Sequence, residues 1–307
     1  MFHMGATALI LVRQVAIMFI LTGVGYVLFR TGKITLEGGK TIGNILIFTA
    51  LPCVIINSFL VERTPERLAA LPVSAVAALV VLVISCAAAS LIFKKDPIAT
   101  FGASFSNPGF FGMPLILASL PEGSAFYVAA FIGFLNLGQW TYGVAVMTGK
   151  AGTLKLKSVV TAPFFVAIVT GLFLFLTAFP LPTIVRSSIS SLAGINTALA
   201  MFTIGVYLGQ TDIAKMFTKP VLYRIAAVRL VIIPLLALAV LTLVPEKHLY
   251  LKLAILIAAA CPVGSNVAVY AQLHKCNYTY AVESVIISTL FSIITIPAVV
   301  TLAELVW

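Results

Sequence analysis

Two short stretches in an otherwise apolar chain carry residue types from which a binding site could be built. They are Ser106-Asn107-Pro108-Gly109 and Pro262-Val263-Gly264-Ser265-Asn266. Each lies near the middle of an apolar run, ATFGASFSNPGFFGMPLILAS and AILIAAACPVGSNVAVYAQL. Proline lacks a backbone donor and clashes with the preceding turn, while glycine adopts dihedrals other residues avoid, so both runs are predicted to break as helices. Asn is a favoured N-cap and Pro a favoured first helical residue, so Asn107-Pro108 reads as the start of a new half-helix. Ser265 or Asn266, after Gly264, could cap its counterpart. A helix N-terminus presents free N–H groups and about half a positive charge. Two such ends meeting at mid-depth would hold a carboxylate through Asn107, Asn266, Ser265 and adjacent amides, with no need for buried Lys or Arg.

The elements that position these stretches follow from composition. Of 307 residues, 61 % are hydrophobic and only 9 % charged. A soluble chain carries about 25 % charged residues, so a soluble enzyme or a nucleic-acid module is excluded. About twenty apolar residues span a bilayer as a helix, and the apolar runs map ten spans: 4–29, 40–60, 70–93, 97–120, 124–147, 158–180, 187–209, 221–244, 249–272 and 278–303. The first run is too long for a signal-peptide core and has no small-residue cleavage site, so it reads as retained. The net charge of +10 fits cytoplasmic loops that collect Lys and Arg. Twelve of the 19 Lys and Arg fall in loops after odd-numbered spans and five after even-numbered ones, which puts both termini outside.

The basic connector TGKAGTLKLK falls at mid-chain and leaves five spans on each side. Five is odd, so the halves insert with opposite orientation, and as structural repeats they would be inverted. The expected division is a first repeat over 1–147, a cytoplasmic linker over 148–157 and a second repeat over 158–307. A matched pair of Gly/Pro-broken helices in such halves is a pointer to a transporter's site. Exposed backbone survives at that depth only when it is buried in protein or lines a wet cavity.

Other polar residues within spans are Asn44, Asn57, Asn136, Gln139 and Asn196. They read equally as cavity lining or as glue between helices. Gly205 and Gly209 read as a close-packing face. Pro52, Pro163, Pro234 and Pro297 read as ordinary kinks. Arg13, Arg229 and Glu283 are charges inside spans and default to functional suspicion, for an anion in the first two cases and for a proton in the third. Snorkelling or interfacial placement is the competing reading for all three. Four cysteines without a C-x-x-C pair and three scattered histidines give no metal or disulfide framework.

With these residues in view, the chain resembles the auxin efflux carrier family, which includes bacterial carriers for malonate and other small organic acids. The likeness rests on SNPGFFGMPL (106–115), ACPVGSNVAVYA (260–271) and IISTLFSIITIP (286–297), with weaker support from FTALP (48–52). The resemblance implies an all-α polytopic membrane protein of ten helices in two inverted five-helix repeats, with broken helices four and nine crossing. It implies an elevator in which helices one, two, six and seven form the scaffold. Asn107 matches the family's substrate-facing Asn, and Pro262 the proline of the second crossing. Ser106, Ser288 and Thr289 join the candidate cavity lining. Plant members carry proline just before the Asn, whereas here Pro108 follows it, so the break geometry is expected to differ.

The function this implies is secondary transport of a small organic anion, such as malonate or an indole-acetate-like acid, across a bacterial inner membrane. The alternative is a sodium- or proton-coupled symporter of bile-acid-carrier type. A cation/proton antiporter is disfavoured because no carboxylate lies within 104–115 or 260–270. No H-E-x-x-H, G-x-S-x-G or mid-span aspartate pair marks an enzyme. The expected partners are the anion and the lipid bilayer, with no nucleic acid and a homodimer left open. No cofactor is expected, and a coupling Na+ or H+ is undecided.

Overall fold

The polar first turns of several helices are fixed by side-chain caps. Thr35 Oγ1 accepts from Gly38 N at 3.0 Å and Thr64 Oγ1 from Arg67 N at 3.3 Å. The helices they open therefore start at Leu36 and Pro65, ahead of the apolar windows beginning at 40 and 70. The computed structural model describes residues 6–149 and 160–307. Most of the 148–157 linker, including Lys150, Lys155 and Lys157, lies outside the described residues.

In chain order the helices are α1 (Ala6–Arg30), α2 (Leu36–Phe59), α3 (Pro65–Ile92), α4 (Pro97–Ser104), α5 (Pro108–Ser119), α6 (129–148), α7 (Pro163–Thr177), α8 (Thr183–Gly209), α9 (Pro220–Leu241), α10 (Leu249–Ala260), α11 (Asn266–Leu273) and α12 (Tyr278–Val306). Among the described residues, six of them (α1, α2, α3, α8, α9 and α12) are long and apolar enough to cross a membrane. No strand forms among those residues beyond one isolated antiparallel bridge. The outward faces are apolar, with Leu9, Leu91, Phe173 and Ile294 all more than half exposed, as lipid contact requires.

Several of the prolines do not simply kink their helices. A widened π turn at Leu46–Ala50 precedes Pro52, one at Pro108–Gly112 precedes Pro114, and one at Val228–Ile232 precedes Pro234. In each, the wide turn contains the carbonyl four residues back that the proline ring would otherwise strike. Pro163 opens α7, and Pro297 sits inside α12 without such a turn.

The helices pack in two groups. In one, α1 lies along the second half of α8, and the end of α2 packs on α7 and on the first half of α8. In the other, α3, α6, α9 and α12 surround the short helices α4, α10 and α11, and α5 lies where the groups meet, against α10 on one side and α1 and α8 on the other. The inner pieces are the most buried: every residue of α4 after Pro97 and every residue of α10 after Tyr250 is buried. By contrast, no residue of Thr183–Gly194 is buried.

The tightest seam joins α1 to α8. A Cβ on Gly205 would lie 2.4 Å from Thr22 O and 2.6 Å from Tyr26 N, and one on Gly25 2.7 Å from Phe202 Cα. The obstacles are backbone atoms, so neither can move cheaply. Gly205→Ala is expected to cost about 1–3 kcal/mol, read as a lower unfolding temperature of the purified protein. Gly23→Ala, whose Cβ meets nothing within 4 Å, serves as the control. Equal stability of the two variants would contradict this seam.

Candidate functional site

Each break contains a residue followed by proline, which is biased out of the helical region. Asn107 (φ −111°, ψ 63°) ends the stretch after α4, and Cys261 (φ −60°, ψ 152°) ends α10. Pro108 then opens α5. Pro262 instead lies inside the second break, four positions before α11 begins at Asn266. The two unwound segments satisfy each other's backbone. Ser106 and Val263 form the antiparallel bridge, and Gly264 N donates to Phe105 O at 2.9 Å. Val263 N donates to Ser288 Oγ of α12 at 3.0 Å.

Asn107 caps α5 as expected, its Oδ1 accepting from Phe110 N at 3.4 Å. The cap expected at α11 is absent. Ser265 makes no side-chain cap bond, and Asn266 Nδ2 donates to Gln139 Oε1 at 2.8 Å. Gln139 opens a π turn in α6, Gln139–Gly143. Four buried side chains around the crossing hold a polar atom that no described protein group meets: Ser106 Oγ, Asn107 Nδ2, Gln139 Nε2 and Asn196 Oδ1. Asn196 on α8 donates through Nδ2 to Gly109 O at 3.2 Å, tying the two helix groups together at the first break.

A cavity of about 280 Å³ reaches this region. Ser265, Asn266 and Phe110 line its inner end, Asn44, Thr203 and Tyr207 its walls, and Lys40, Gln210, Gln272 and Tyr278 its mouth. Asn107, Pro108, Gly109, Pro262 and Gly264 are buried behind that lining. A second cavity of about 520 Å³ is lined by Asn57, Ser58, Glu122, Arg186 and Ser190. Arg186 lies near the start of α8 and Gln210 just past its end, 24 positions on, about 36 Å of helix, so the cavities lie at opposite ends. Between them Leu51 fills the space a Cβ on Gly109 would need, at 2.9 Å.

The remaining candidates fall elsewhere. Thr289 donates to Val285 O in its own helix at 2.7 Å, and Asn136 Nδ2 to Ile132 O at 2.8 Å. Glu283 is buried in an ion pair, with Lys219 Nζ at 2.6 and 2.7 Å from its two oxygens. Arg13 is exposed on the outer face of α1. Arg229, in the π turn of α9, is 1 % exposed and faces backbone carbonyls: Nη1 donates to Ala103 O at 2.8 Å and Ser104 O at 3.3 Å, and Nη2 to Ala259 O. Sequence reasoning missed Gln210, Gln272 and Tyr278, and counted Lys40 only as a loop charge.

The family model described as a membrane transport protein matches residues 10–160 and again residues 151–300. The chain belongs to the auxin efflux carrier family. A comparison with curated proteins gave no match. Membership makes the protein a membrane transporter. The motifs that carried the resemblance fall at particular points of this carrier. Residues 106–115 and 260–271 form the two breaks, 286–297 includes the Ser288 hydroxyl that holds Val263, and 48–52 runs from the π turn of α2 into Pro52.

Proposed function

We propose that this transporter is a secondary carrier for a small organic anion bearing a carboxylate, moved across a bacterial inner membrane by elevator-type alternating access. The observation that carries the reading is where the 280 Å³ cavity ends: on Ser265 and Asn266 at the start of α11, with Phe110 from the first turn of α5 beside them. Free N–H groups and about half a positive charge at each helix start suit a carboxylate. Asn107 Nδ2 and Gln139 Nε2, donors without a described protein partner on side chains more than nine-tenths buried, stand outside that lining, near it in the chain or joined to it through the Asn266 side chain.

One family model matching each half of the chain supports two inverted five-helix repeats, 1–147 and 158–307, whose broken fourth and ninth spans cross. In this reading α1, α2, α7 and α8 are the scaffold, and the second packing group together with α5 is the moving unit. The Lys and Arg bias makes the Lys40 mouth cytoplasmic and both termini extracytoplasmic. The cavity then describes an inward-facing state.

An inside-negative membrane drives a monoanion outward by about 2.3 kcal/mol per 100 mV. Flux of radiolabelled malonate and indole-3-acetate from proteoliposomes, with the voltage set by a potassium gradient and valinomycin, is the test. At least one acid is expected to move, faster as the loaded side becomes more negative, and without sodium. Flux that requires sodium and ignores voltage would replace uniport by symport, and no flux of either acid would refute the carboxylate reading.

A further inference from the structure

A crossing of two broken helices brings four helix ends together, two amino and two carboxyl. Each amino end carries about half a positive charge and each carboxyl end about half a negative one, so the set alone sums to nothing and has no reason to prefer an anion. Arg229 changes that sum. Its guanidinium donates to Ala103 and Ser104, the last carbonyls of α4, and to Ala259 near the end of α10. It therefore caps both carboxyl ends at once, from a third helix, and cancels their combined charge. Among the described residues no carboxylate pairs with Arg229; the ion pairs there join Lys40 to Glu37, Lys215 to Asp212 and Lys219 to Glu283. The amino ends of α5 and α11 are left uncompensated, about one positive charge in all.

We propose that Arg229 is the positioning residue that sets the sign of the site, giving the crossing its preference for anions without touching the ligand. The inference rests on the carboxylate reading above. It also explains how a charge sits wholly inside the protein without an acidic partner, because backbone carbonyls at two helix ends supply the counter-charge.

The test compares binding of malonate with binding of malonamide, its uncharged diamide, to purified protein in lipid nanodiscs by calorimetry. Wild type is expected to prefer malonate. Arg229→Gln removes the charge, and the preference should fall by about tenfold or more, the scale of a unit charge acting over roughly 10 Å at an effective dielectric of about 20. Arg229→Lys, which keeps the charge and three donors, should restore most of it. Because Arg229→Gln could unfold the crossing, Cys86→Asp provides a second route. Cys86 on α3 is within electrostatic reach of the guanidinium, so a carboxylate there neutralises Arg229 while leaving it in place. Cys86→Asp should lose the preference and Cys86→Asn should keep it. Folded Cys86→Asp protein with the wild-type preference would overturn the inference, as would folded Arg229→Gln protein that loses both ligands equally. Wild type that ignores the charge of the ligand, or binds neither compound, would overturn the carboxylate reading and this inference together.

Discussion

Asn266→Asp protein is expected to fold and to bind no small carboxylate. Asn266 stands at the first position of α11, lines the inner end of the cavity and donates to Gln139 Oε1 at 2.8 Å. An aspartate there is tolerated locally. Gln139 can turn its amide so that Nε2, which meets no described protein group, donates to the new carboxylate, and a negative charge at a helix start is favourable. The same change supplies an internal anion where the ligand's carboxylate would sit. Two like charges about 4 Å apart at an effective dielectric of about 20 repel by about 4 kcal/mol, roughly a thousandfold in affinity. Asn266→Ala brings in no charge and should weaken binding by about tenfold, the net worth of one good hydrogen bond. Calorimetric titration with malonate ranks the three proteins. Wild-type affinity in the aspartate variant would remove the ligand from this end of the cavity.

Gly264→Ala should abolish transport by forcing the two breaks apart. A Cβ at this position would lie 2.8 Å from Ser106 O and 3.2 Å from Phe105 O. Both obstacles are backbone carbonyls in the neighbouring break, and Phe105 O is the acceptor for Gly264 N itself. Relief requires the Ser106–Val263 bridge to open, which strands buried backbone groups that the two breaks satisfy for each other. The expected cost is about 1–3 kcal/mol of stability, with proteoliposome flux lost even where the protein still purifies as a single species. An alanine variant with wild-type flux would show that the crossing does not need this close approach.

How far the sequence could be read depended on the range of the forces involved. The breaks were legible because the effect of proline on the residue before it is local, and Asn107-Pro108 and Cys261-Pro262 obey it in the folded chain. The start of α5 was legible for the same reason, since a cap spans three residues. The first turns of α2 and α3 were cut short because they are polar and are held by Thr35 and Thr64 rather than by apolar burial. The role of Arg229 was out of reach: its carbonyl partners lie 126 and 30 positions away, and no spacing rule links them. The same holds for the cavity mouth, where Lys40, Gln210, Gln272 and Tyr278 meet only through packing of α2, α8, α11 and α12. Ser265 or Asn266 was read as the cap of α11; the helix begins at Asn266, which leaves the N-cap position to Ser265 and the Asn266 side chain to Gln139.

The packed layer in which Leu51 and Asn196 meet Gly109, between the opposite-facing cavities, has an electrical consequence. Where aqueous recesses enter a low-permittivity slab from both faces, the potential drops mainly across the thin partition that remains. Carrying a charged solute past that layer then samples most of the transmembrane voltage within a displacement far shorter than the bilayer is thick.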